Sequence, residues 1–387
     1  MEPAIPHLER LSRNFLDDIA NPEEDLTWVF VGVGWFYQGQ GQYALAEAPL
    51  KNCVQAVQER LGARHPSVAT SLNNLAGLYQ FQGRYHEAET LYLNTLKLQK
   101  QVMPVTHPNF ITSLNNLAGI YSEKGRYKEA EILYQQALKL RQQLFGNQHP
   151  DVATSFNNLA GLYSAQGRYD EAELLYQQAL QLRQELFGDQ KIDIANSLND
   201  LALLYKDQGR YMESEKLYNQ AIALIKEQIG DRHPYFADSL DNLAELYRKQ
   251  GRYEEAEPLY QQSLRLRKEL LENEHPKVAS SLNNLAVFYS NQDQYIQAMN
   301  YASQALQIYI NRLGKSHFLT LGTEISYCLF QLQSSLKVNQ SDLLNALERL
   351  MQQEGILPSD RSAILQFLIK VLDNSTLQEE IIKILRV

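Results

Sequence analysis

The sequence of 387 residues is poor in cysteine and in long apolar runs, and each shortage excludes a class of protein. Cys53 and Cys328 are the two cysteines, so the sequence offers no disulfide framework and no CxxC pair for zinc or redox chemistry. No stretch approaches the roughly eighteen consecutive apolar residues of a membrane span, and the N-terminal residues lack the apolar segment of a signal peptide. We therefore expect a soluble protein in a reducing cytoplasm.

Positive charge is also in short supply. The chain carries 36 basic against 45 acidic residues, which gives a formal net charge of −9. A surface of that sign repels the phosphates of nucleic acids and of anionic lipids, so we expect no nucleic-acid partner and no membrane partner. The hydrophobic share of 44% is nevertheless enough for a substantial core.

Sequence signatures of catalysis are missing as well. The chain contains no Walker glycine loop, no GxGxxG, no GxSxG and no HExxH, and the nearest stretch, HEAET at His86, lacks the second histidine. We predict that the protein is not an enzyme and that it uses no cofactor and no metal.

What the sequence does contain is a repeat with a period of 42 residues. The glycine of a Gly-Arg-Tyr triplet recurs in step at Gly83, Gly125, Gly167, Gly209 and Gly251. A His-Pro pair keeps the same register at His65, His107, His149, His233 and His275. Gly41 is in phase upstream, Asp293 replaces the glycine downstream, and a partial eighth unit begins near His317. A fixed period of this length indicates an array of stacked units.

Each repeat contains the pattern of two helices. Leu72, Leu75, Ala76 and Tyr79 fall at i, i+3, i+4 and i+7, so they form one apolar stripe along a first helix that Gly83 ends. A second periodic run follows at Tyr85, Ala88, Leu91, Tyr92, Leu96 and Leu98. One helix pair buries too little apolar surface to be stable, so neighbouring pairs must stack. The sequence predicts an all-α solenoid of stacked antiparallel helix pairs.

The spacing of this stripe, continued by Ala88 and Tyr92, resembles the tetratricopeptide pattern W-x2-L-G-x2-Y followed by A-x3-F. The 42-residue period, with LNNLAxLY and GRYxEAExLYxxAL, is similar to the kinesin light chain subclass of that family. The similarity covers about residues 25–336, and the Gln-rich, nearly identical repeats look like prokaryotic members. It implies a right-handed superhelix whose first helices line a concave groove for a protein or peptide ligand.

The repeat register divides the chain into three parts. Residues 1–24 are predicted to form an N-terminal capping helix, and residues 25–336 the array of about seven units with a partial eighth. Three short helices are expected over 341–387. Residues 337–387 are either a terminal cap that shields the last stacking face or a docking segment for an effector or a second copy of the chain.

Two adjacent asparagines recur in the middle of the first helix, although asparagine is a poor helix former. At about 100° per residue they lie opposite the apolar stripe, with a glycine at the centre of the polar face. The predicted ligand-binding residues are Asn73, Asn74, Gly77, Asn115, Asn116, Gly119, Asn157, Asn158, Gly161, Asn199, Asp200, Asp241, Asn242, Asn283 and Asn284.

An amide offers both a donor and an acceptor, so a ladder of asparagines can bind the main chain of an extended peptide. Each glycine costs about 1 kcal/mol of helix propensity relative to alanine, and on this interpretation it makes room for the ligand. The other interpretation is that the asparagines hydrogen-bond one another between units and order the stack.

Two further columns of side chains recur in the linkers and turns. The histidines of the His-Pro pairs occur once per unit, so we expect them to begin helices and not to converge on a metal ion. A column of arginines follows the turn glycines, at Arg84, Arg126, Arg168, Arg210 and Arg252. These arginines form either a basic rim for phosphate or carboxylate, or turn residues paired with nearby acids.

The polar face changes along the array. Trp28 and Trp35 replace polar residues in the first unit, where they either anchor an apolar side chain of a ligand or are covered by the N-terminal helix. Units five and six are acidic, with Asp200, Asp207, Asp238, Asp241 and Glu245. A ligand with lysine or arginine in that segment would be electrostatically matched.

These patterns predict a non-enzymatic protein–protein interaction scaffold that binds an extended peptide or a partner domain. The alternative is a regulatory sensor or adaptor array that couples partner binding to a separate signalling or protease effector.

Overall fold

The computed structural model describes residues 27–187, 192–334 and 340–352, together with residues 381 and 384. The predicted capping helix over residues 1–24 and most of the helices predicted over 341–387 lie outside the described residues. The chain divides into two compact units, Met1–Leu144 and Phe145–Val387.

The first unit consists of alternating helices, in which an A helix opens each repeat and a B helix follows it. Its helices are α1 (Thr27–Gly39) and α2 (Tyr43–Leu61) of repeat 1, α3 (Pro66–Phe81) and α4 (Tyr85–Val102) of repeat 2, and α5 (Pro108–Glu123) and α6 (Tyr127–Phe145) of repeat 3. Helices α1 and α3 pack on the B helices of their own repeats, and α2 and α4 pack on the next A helix. Consecutive helix pairs therefore stack in chain order.

The second unit continues the same pattern. Its helices are α7 (Pro150–Ala165) and α8 (Tyr169–Phe187) of repeat 4, α9 (Ile192–Asp207) and α10 (Tyr211–Ile229) of repeat 5, α11 (Pro234–Lys249) and α12 (Tyr253–Leu270) of repeat 6, α13 (Pro276–Ser290) and α14 (Tyr295–Leu313) of repeat 7, then α15 (Phe318–Gln333) and α16 (Gln340–Met351). Neighbouring A and B helices pack in sequence from α7 to α16. The all-α, paired-helix solenoid expected from the sequence is thus confirmed.

Six of the A helices begin in the same way, at a histidine. The Nδ1 atom of His65 accepts a hydrogen bond from the backbone N–H of Ser67 at 3.2 Å. The same contact is made by His107, His149, His233, His275 and His317. Because Nδ1 is the acceptor, the proton of the neutral ring is on Nε2. The predicted role of these histidines in helix entry is confirmed.

The turn between the A and B helices needs a left-handed residue. Gly83 has a φ of 70°, a conformation that a side chain disfavours. Asp293 stands at the same position of repeat 7 and has a φ of 59°, the only positive value for a non-glycine residue among the described residues. A glycine therefore recurs every 42 residues because the turn needs a positive φ, and repeat 7 keeps the same turn with an aspartate in place of the glycine.

The core lies between the A and B helices, where small side chains allow close approach. Ala76 and Ala88 are fully buried, and Tyr79 is buried beside them. The predicted stripe is wrong in one detail: Leu78 is completely buried, whereas Leu72 is only half-buried. Helix α3, which carries both residues, contacts α4 of its own repeat and α2 of the preceding one, so its buried face extends beyond a single stripe and includes Leu78.

The last described helix, α16, packs on α15. Leu343 and Leu347 are fully buried in one cluster with Leu321, Cys328 and Leu329. This contact shows where the chain continues after the repeats. Whether residues 337–387 serve as a cap or as a docking segment stays a prediction.

Candidate functional site

The predicted binding residues lie on one side of the A helices, which we call the A face. It is defined by the positions of Asn73, Asn74 and Gly77 and by their equivalents every 42 residues along the chain. All of the predicted binding residues are half-buried except Asp241, which is buried. The A face is thus accessible at the residues that the sequence singled out.

In the first unit, the asparagines of neighbouring repeats contact each other. The Asn73 Oδ1 atom accepts hydrogen bonds from Ser113 Oγ at 3.2 Å and from Asn116 Nδ2 at 3.3 Å. One asparagine of repeat 2 therefore binds two side chains of repeat 3. Such a contact orders the stack of A helices.

The second unit repeats this ladder with other partners. Asn157 Nδ2 donates to Asp200 Oδ2 at 2.7 Å, and Asn199 Nδ2 donates to Ser239 Oγ at 2.9 Å. Two further contacts, from Asn284 Nδ2 to Asp241 Oδ2 and from Thr323 Oγ1 to Asn283 Oδ1, have lengths of 3.3 and 3.4 Å. These contacts support stack ordering as one role of the asparagines, and contact with a ligand stays a prediction.

Two asparagines of the A face are exceptions. The side chains of Asn74 and Asn242 form no hydrogen bond with any residue in the described ranges. For Asn74 the reason is visible in the sequence, because the residue that would face it in repeat 1 is the apolar Val31. The amides of these two residues keep both donor and acceptor for another partner.

The glycines of the A face are not required by packing. A Cβ atom added to Gly77 would lie 3.7 Å from Tyr92 Oη, and one added to Gly119 would lie 3.5 Å from Tyr134 Oη, which are ordinary contacts. Gly161 has the same relation to Tyr176. Repeats 5, 6 and 7 carry side chains at this position, namely Leu203, Glu245 and Val287.

A tyrosine hydroxyl of the B helix lies beneath each of these glycines. Tyr134 and Tyr176 are 9% and 8% exposed, and neither hydroxyl has a hydrogen-bond partner among the described residues. Burial, with a smaller contribution from the charge of Glu123, raises the pKa of Tyr134 to about 12, so the hydroxyl keeps its proton at neutral pH. Tyr92 donates to Gln80 Oε1 at 3.4 Å, a long contact.

Repeat 6 fills the same position with a charged network. Glu245 accepts a hydrogen bond from Tyr260 Oη at 2.9 Å and another from Arg248 Nε at 2.6 Å. Burial opposes ionisation of Glu245, but the hydrogen bond and the charge of Arg248 outweigh it, so its pKa lies below the usual 4.5. In repeat 5, Leu203 takes this position and Tyr218 is fully buried.

A buried ion cluster lies next to this network and was missed by the sequence analysis. Arg267, which is 5% exposed, binds Asp241 at 2.6 Å and Asp238 at 2.7 Å. Arg183 is also buried and donates to Ser197 of the following repeat. The sequence offered one signal for it, a position of the 42-residue repeat at which both polar and apolar residues occur. The residues at this position are Gln99, Arg141, Arg183, Ile225, Arg267 and Tyr309.

The acidic segment of repeats 5 and 6 is largely neutralised within the protein. Asp238 also binds Lys277 at 3.1 Å, and Asp207 lies 3.7 Å from Lys249. Together with the partners of Asp241 and Glu245, these contacts leave less negative charge for a basic ligand than the sequence suggested.

The arginine column is paired and does not form an open basic rim. Arg84 binds Glu47 of the preceding B helix at 2.7 Å, and its guanidinium lies 3.8 Å from the centre of the Tyr79 ring. Glu87 of the following B helix completes the cluster. Equivalent clusters surround Arg126, Arg210 and Arg252. Of the two interpretations, pairing with nearby acids is the one that the structure shows.

The remaining candidates do not converge. No group of three or more His, Cys, Asp or Glu side chains within the described ranges could hold a metal ion. None of the described helices combines the length and apolarity that crossing a membrane requires.

Trp35, at the position of Gly77 in repeat 1, is 61% exposed. Phe81 is equally exposed, and its ring stacks on that of Tyr43 with a centroid distance of 6.0 Å. The side chain of Trp28 lies outside the described residues.

Comparison with solved structures found similar chains. BtubC (BKLC) from P. vanneervenii is 24% identical, with 60% of this chain and 91% of that chain covered and a TM-score of 0.48. A putative kinesin light chain from Podosopora anserina with nearly identical TPR-like repeats is 27% identical, with 54% and 99% covered and a TM-score of 0.44. Rap protein complexed with Competence and Sporulation Factor is 14% identical, with 91% and 99% covered and a TM-score of 0.54, which shows a similar fold. A comparison with curated proteins found no match.

The comparison with protein families gives a direct result. The tetratricopeptide repeat model matches residues 25–101, 109–185, 193–269 and 235–311, which together exceed half of the chain. A second tetratricopeptide model matches residues 73–144. The chain belongs to the tetratricopeptide repeat family.

Proposed function

We propose that the protein is a non-enzymatic scaffold that binds a protein partner by holding an extended peptide segment across the A face of one of its two units. Tetratricopeptide repeats commonly mediate protein interactions, which supports a binding role in general. The observation that carries this specific proposal is the glycine at positions 77, 119 and 161. Packing would accept alanine there, and alanine would make the helix about 1 kcal/mol more stable per site.

The chemistry of the A face suits the main chain of a peptide better than a charged side chain. Asn74 and Asn242 keep an amide with donor and acceptor, and the glycines let a ligand backbone approach the helix closely. The acidic residues of repeat 6 are paired with Arg248, Arg267 and Lys277. We therefore expect a ligand that is neutral where it crosses the A face.

The test begins with a ligand obtained in a defined way. A library of random, end-blocked decapeptides is selected on the intact chain, and a photo-reactive analogue of one selected peptide is crosslinked to locate its site. Crosslinks in the A helices are expected. Crosslinks confined to the B helices would overturn the proposal, as would failure of the library to give any binder.

Two asparagine variants then separate binding from stacking. Asn74→Ala should weaken the selected peptide about three- to tenfold without changing the melting temperature, because its amide bonds to no described residue. Asn73→Ala should lower the melting temperature, because two hydrogen bonds to repeat 3 are lost. Unchanged affinity in both variants would assign the asparagines to stacking alone.

A further inference from the structure

The hydroxyls of Tyr134 and Tyr176 are the least expected polar groups of the A face. Each belongs to a side chain that is more than nine-tenths buried, and each lies where a Cβ atom on Gly119 or Gly161 would be 3.5 Å away. Neither hydroxyl binds a residue of the described ranges. The two hydroxyl atoms are not themselves closed off from outside the chain, unlike that of Tyr218, so each keeps a donor that no residue of the described ranges uses.

Repeat 6 shows how the same position can be satisfied. Tyr260 is the equivalent tyrosine, and its hydroxyl donates at 2.9 Å to the carboxylate of Glu245, which stands in place of the glycine. The side chain of Glu245 thus brings an acceptor oxygen over the B-helix hydroxyl. In repeats 3 and 4 the glycine provides no such oxygen and leaves the hydroxyl reachable from the A face.

Repeat 5 gives the opposite arrangement. Leu203 replaces the glycine, and Tyr218 is fully buried with a hydroxyl that has no hydrogen-bond partner among the described residues. This hydroxyl is closed off from outside the chain, whereas those of Tyr134 and Tyr176, which lie beneath glycines, are not.

The surroundings select the kind of acceptor. The carboxylate of Glu245 is balanced by Arg248, but Ser122 and Ser164 occupy the position of Arg248 in repeats 3 and 4. The nearby ionisable groups are acidic, with Glu123 close to Tyr134 and Asp200 close to Tyr176. A second carboxylate would be repelled at these sites, whereas a neutral carbonyl oxygen would not.

We propose that Tyr134 and Tyr176 are ligand-binding residues, whose hydroxyls each donate a hydrogen bond to a main-chain carbonyl oxygen of an extended peptide lying over Gly119 or Gly161. This inference rests on the proposed function and names the groups that carry it. Because these hydroxyls bind the main chain of the ligand, they select for an extended backbone and not for a particular amino-acid sequence.

The experiment uses the peptide selected on the intact chain. Tyr134→Phe, for a peptide that crosslinks to the first unit, or Tyr176→Phe, for one that crosslinks to the second, should weaken its binding about three- to tenfold and leave the melting temperature unchanged, because neither hydroxyl has a partner among the described residues. Tyr260→Phe is the matched control: it breaks the bond to Glu245, so it should lower the melting temperature and leave affinity unchanged. Gly119→Ala places a methyl group beside the hydroxyl of Tyr134. This variant should bind the peptide more weakly, although its melting temperature should be higher.

A change in the ligand tests the acceptor directly. Replacing one amide of the peptide by an ester weakens the carbonyl acceptor, and at the contacting position the ester should lower affinity in the unmodified protein but not in Tyr134→Phe. If the peptide crosslinks to the A helices and both phenylalanine variants bind as the unmodified protein does, this inference is overturned while the proposed function stands. If the library yields no binder, both are overturned.

Discussion

Repeat 3 and repeat 6 place a tyrosine at the same point of the B helix, Tyr134 in one and Tyr260 in the other, beneath the middle of the A helix. In repeat 6 that hydroxyl binds Glu245, whose charge is balanced by Arg248. In repeat 3 the A helix has Gly119 at this point, and the hydroxyl has no partner among the described residues. The same pair of helices can therefore satisfy its polar groups internally or leave them for a partner.

One A-helix position, occupied by Gly119 in repeat 3 and by Glu245 in repeat 6, decides whether the tyrosine hydroxyl beneath it has a partner within the chain. The turn between the A and B helices is alike in both repeats, since Gly125 and Gly251 have φ values of 68° and 74°. On the function proposed above, a closed repeat, whose tyrosine hydroxyl binds within the chain, contributes stability, and an open repeat, whose hydroxyl has no partner among the described residues, gives up stability for binding.

The largest effect should come from breaking the closed network of repeat 6. Arg267→Ala leaves Asp241 buried without its cation, so we expect the free energy of unfolding to fall by about 3–5 kcal/mol. Denaturant titration of the second unit, followed by circular dichroism, measures the loss. The double variant Arg267→Ala with Asp241→Asn should recover part of it, and a loss below about 1 kcal/mol would show that Asp241 is solvated.

The next effect sharpens the contrast between the two tyrosines. Tyr260→Phe removes a hydrogen bond to a charged carboxylate and should cost about 1.5–3 kcal/mol. Tyr134→Phe removes a hydroxyl without a protein partner and should leave stability unchanged or raise it slightly. Thermal unfolding of the two variants in parallel makes the comparison, and equal losses would contradict the distinction between closed and open repeats.

A smaller change, an increase in the free energy of unfolding, is expected at Gly119. Gly119→Ala should raise the free energy of unfolding by about 1 kcal/mol, because the glycine is helical and the added Cβ would make only ordinary contacts. Gly83→Ala is the control, and it should destabilise by about 1–2 kcal/mol because Gly83 has a positive φ. A loss of stability in Gly119→Ala would mean that packing itself requires the glycine.

The smallest expected effect is the change in stability at neutral pH when a glutamate of the A helix is replaced by glutamine, and its sign should differ between repeats 6 and 3. The pKa of Glu245 is lowered below 4.5, so its contribution to stability is present above pH 4.5 and disappears as the pH falls through the lowered value. Glu245→Gln should therefore destabilise at neutral pH by about 0.5–1 kcal/mol and have no effect in acid.

Glu123 of repeat 3 is the counterpart. Its side chain reaches solvent, yet the protein atoms around its carboxyl raise its pKa by desolvation, and it pairs with no cation among the described residues. A raised carboxyl pKa means that the ionised form costs stability at neutral pH, and this cost vanishes at low pH. Glu123→Gln should thus stabilise slightly at neutral pH, and melting curves between pH 3 and 7 would show it. A shift in the same direction for both glutamine variants would contradict the assignment.

Much of the fold could be predicted because its signals are local. The histidine that begins the A helix and the glycine that ends it act within two to five residues of their own positions. The apolar stripe of Leu75, Ala76 and Tyr79 follows from helix geometry alone. The stripe omitted Leu78, which is buried because a second helix packs on the same A helix, and one period of sequence does not reveal that helix.

The role of the asparagines in binding stays a prediction, and their contacts could not be read from the sequence, because the partners of Asn73 are 40 and 43 residues away. The tyrosines that we propose as donors could have been found from one signal, the exchange of Gly119 for Glu245 above a tyrosine that is constant from repeat 2 to repeat 6. The partners of Arg267 come from two other helices, so the register position of Arg267 indicated a polar site but not the residues that it binds.

The helices, their order and the 42-residue register follow from the amino-acid sequence, because capping, turn conformation and apolar periodicity act between residues close along the chain. Which polar groups find a partner within the chain depends on how the repeats pack. The physical reason is that a hydrogen bond requires two atoms about 3 Å apart, and the stacking of repeats sets that distance for residues far apart in sequence.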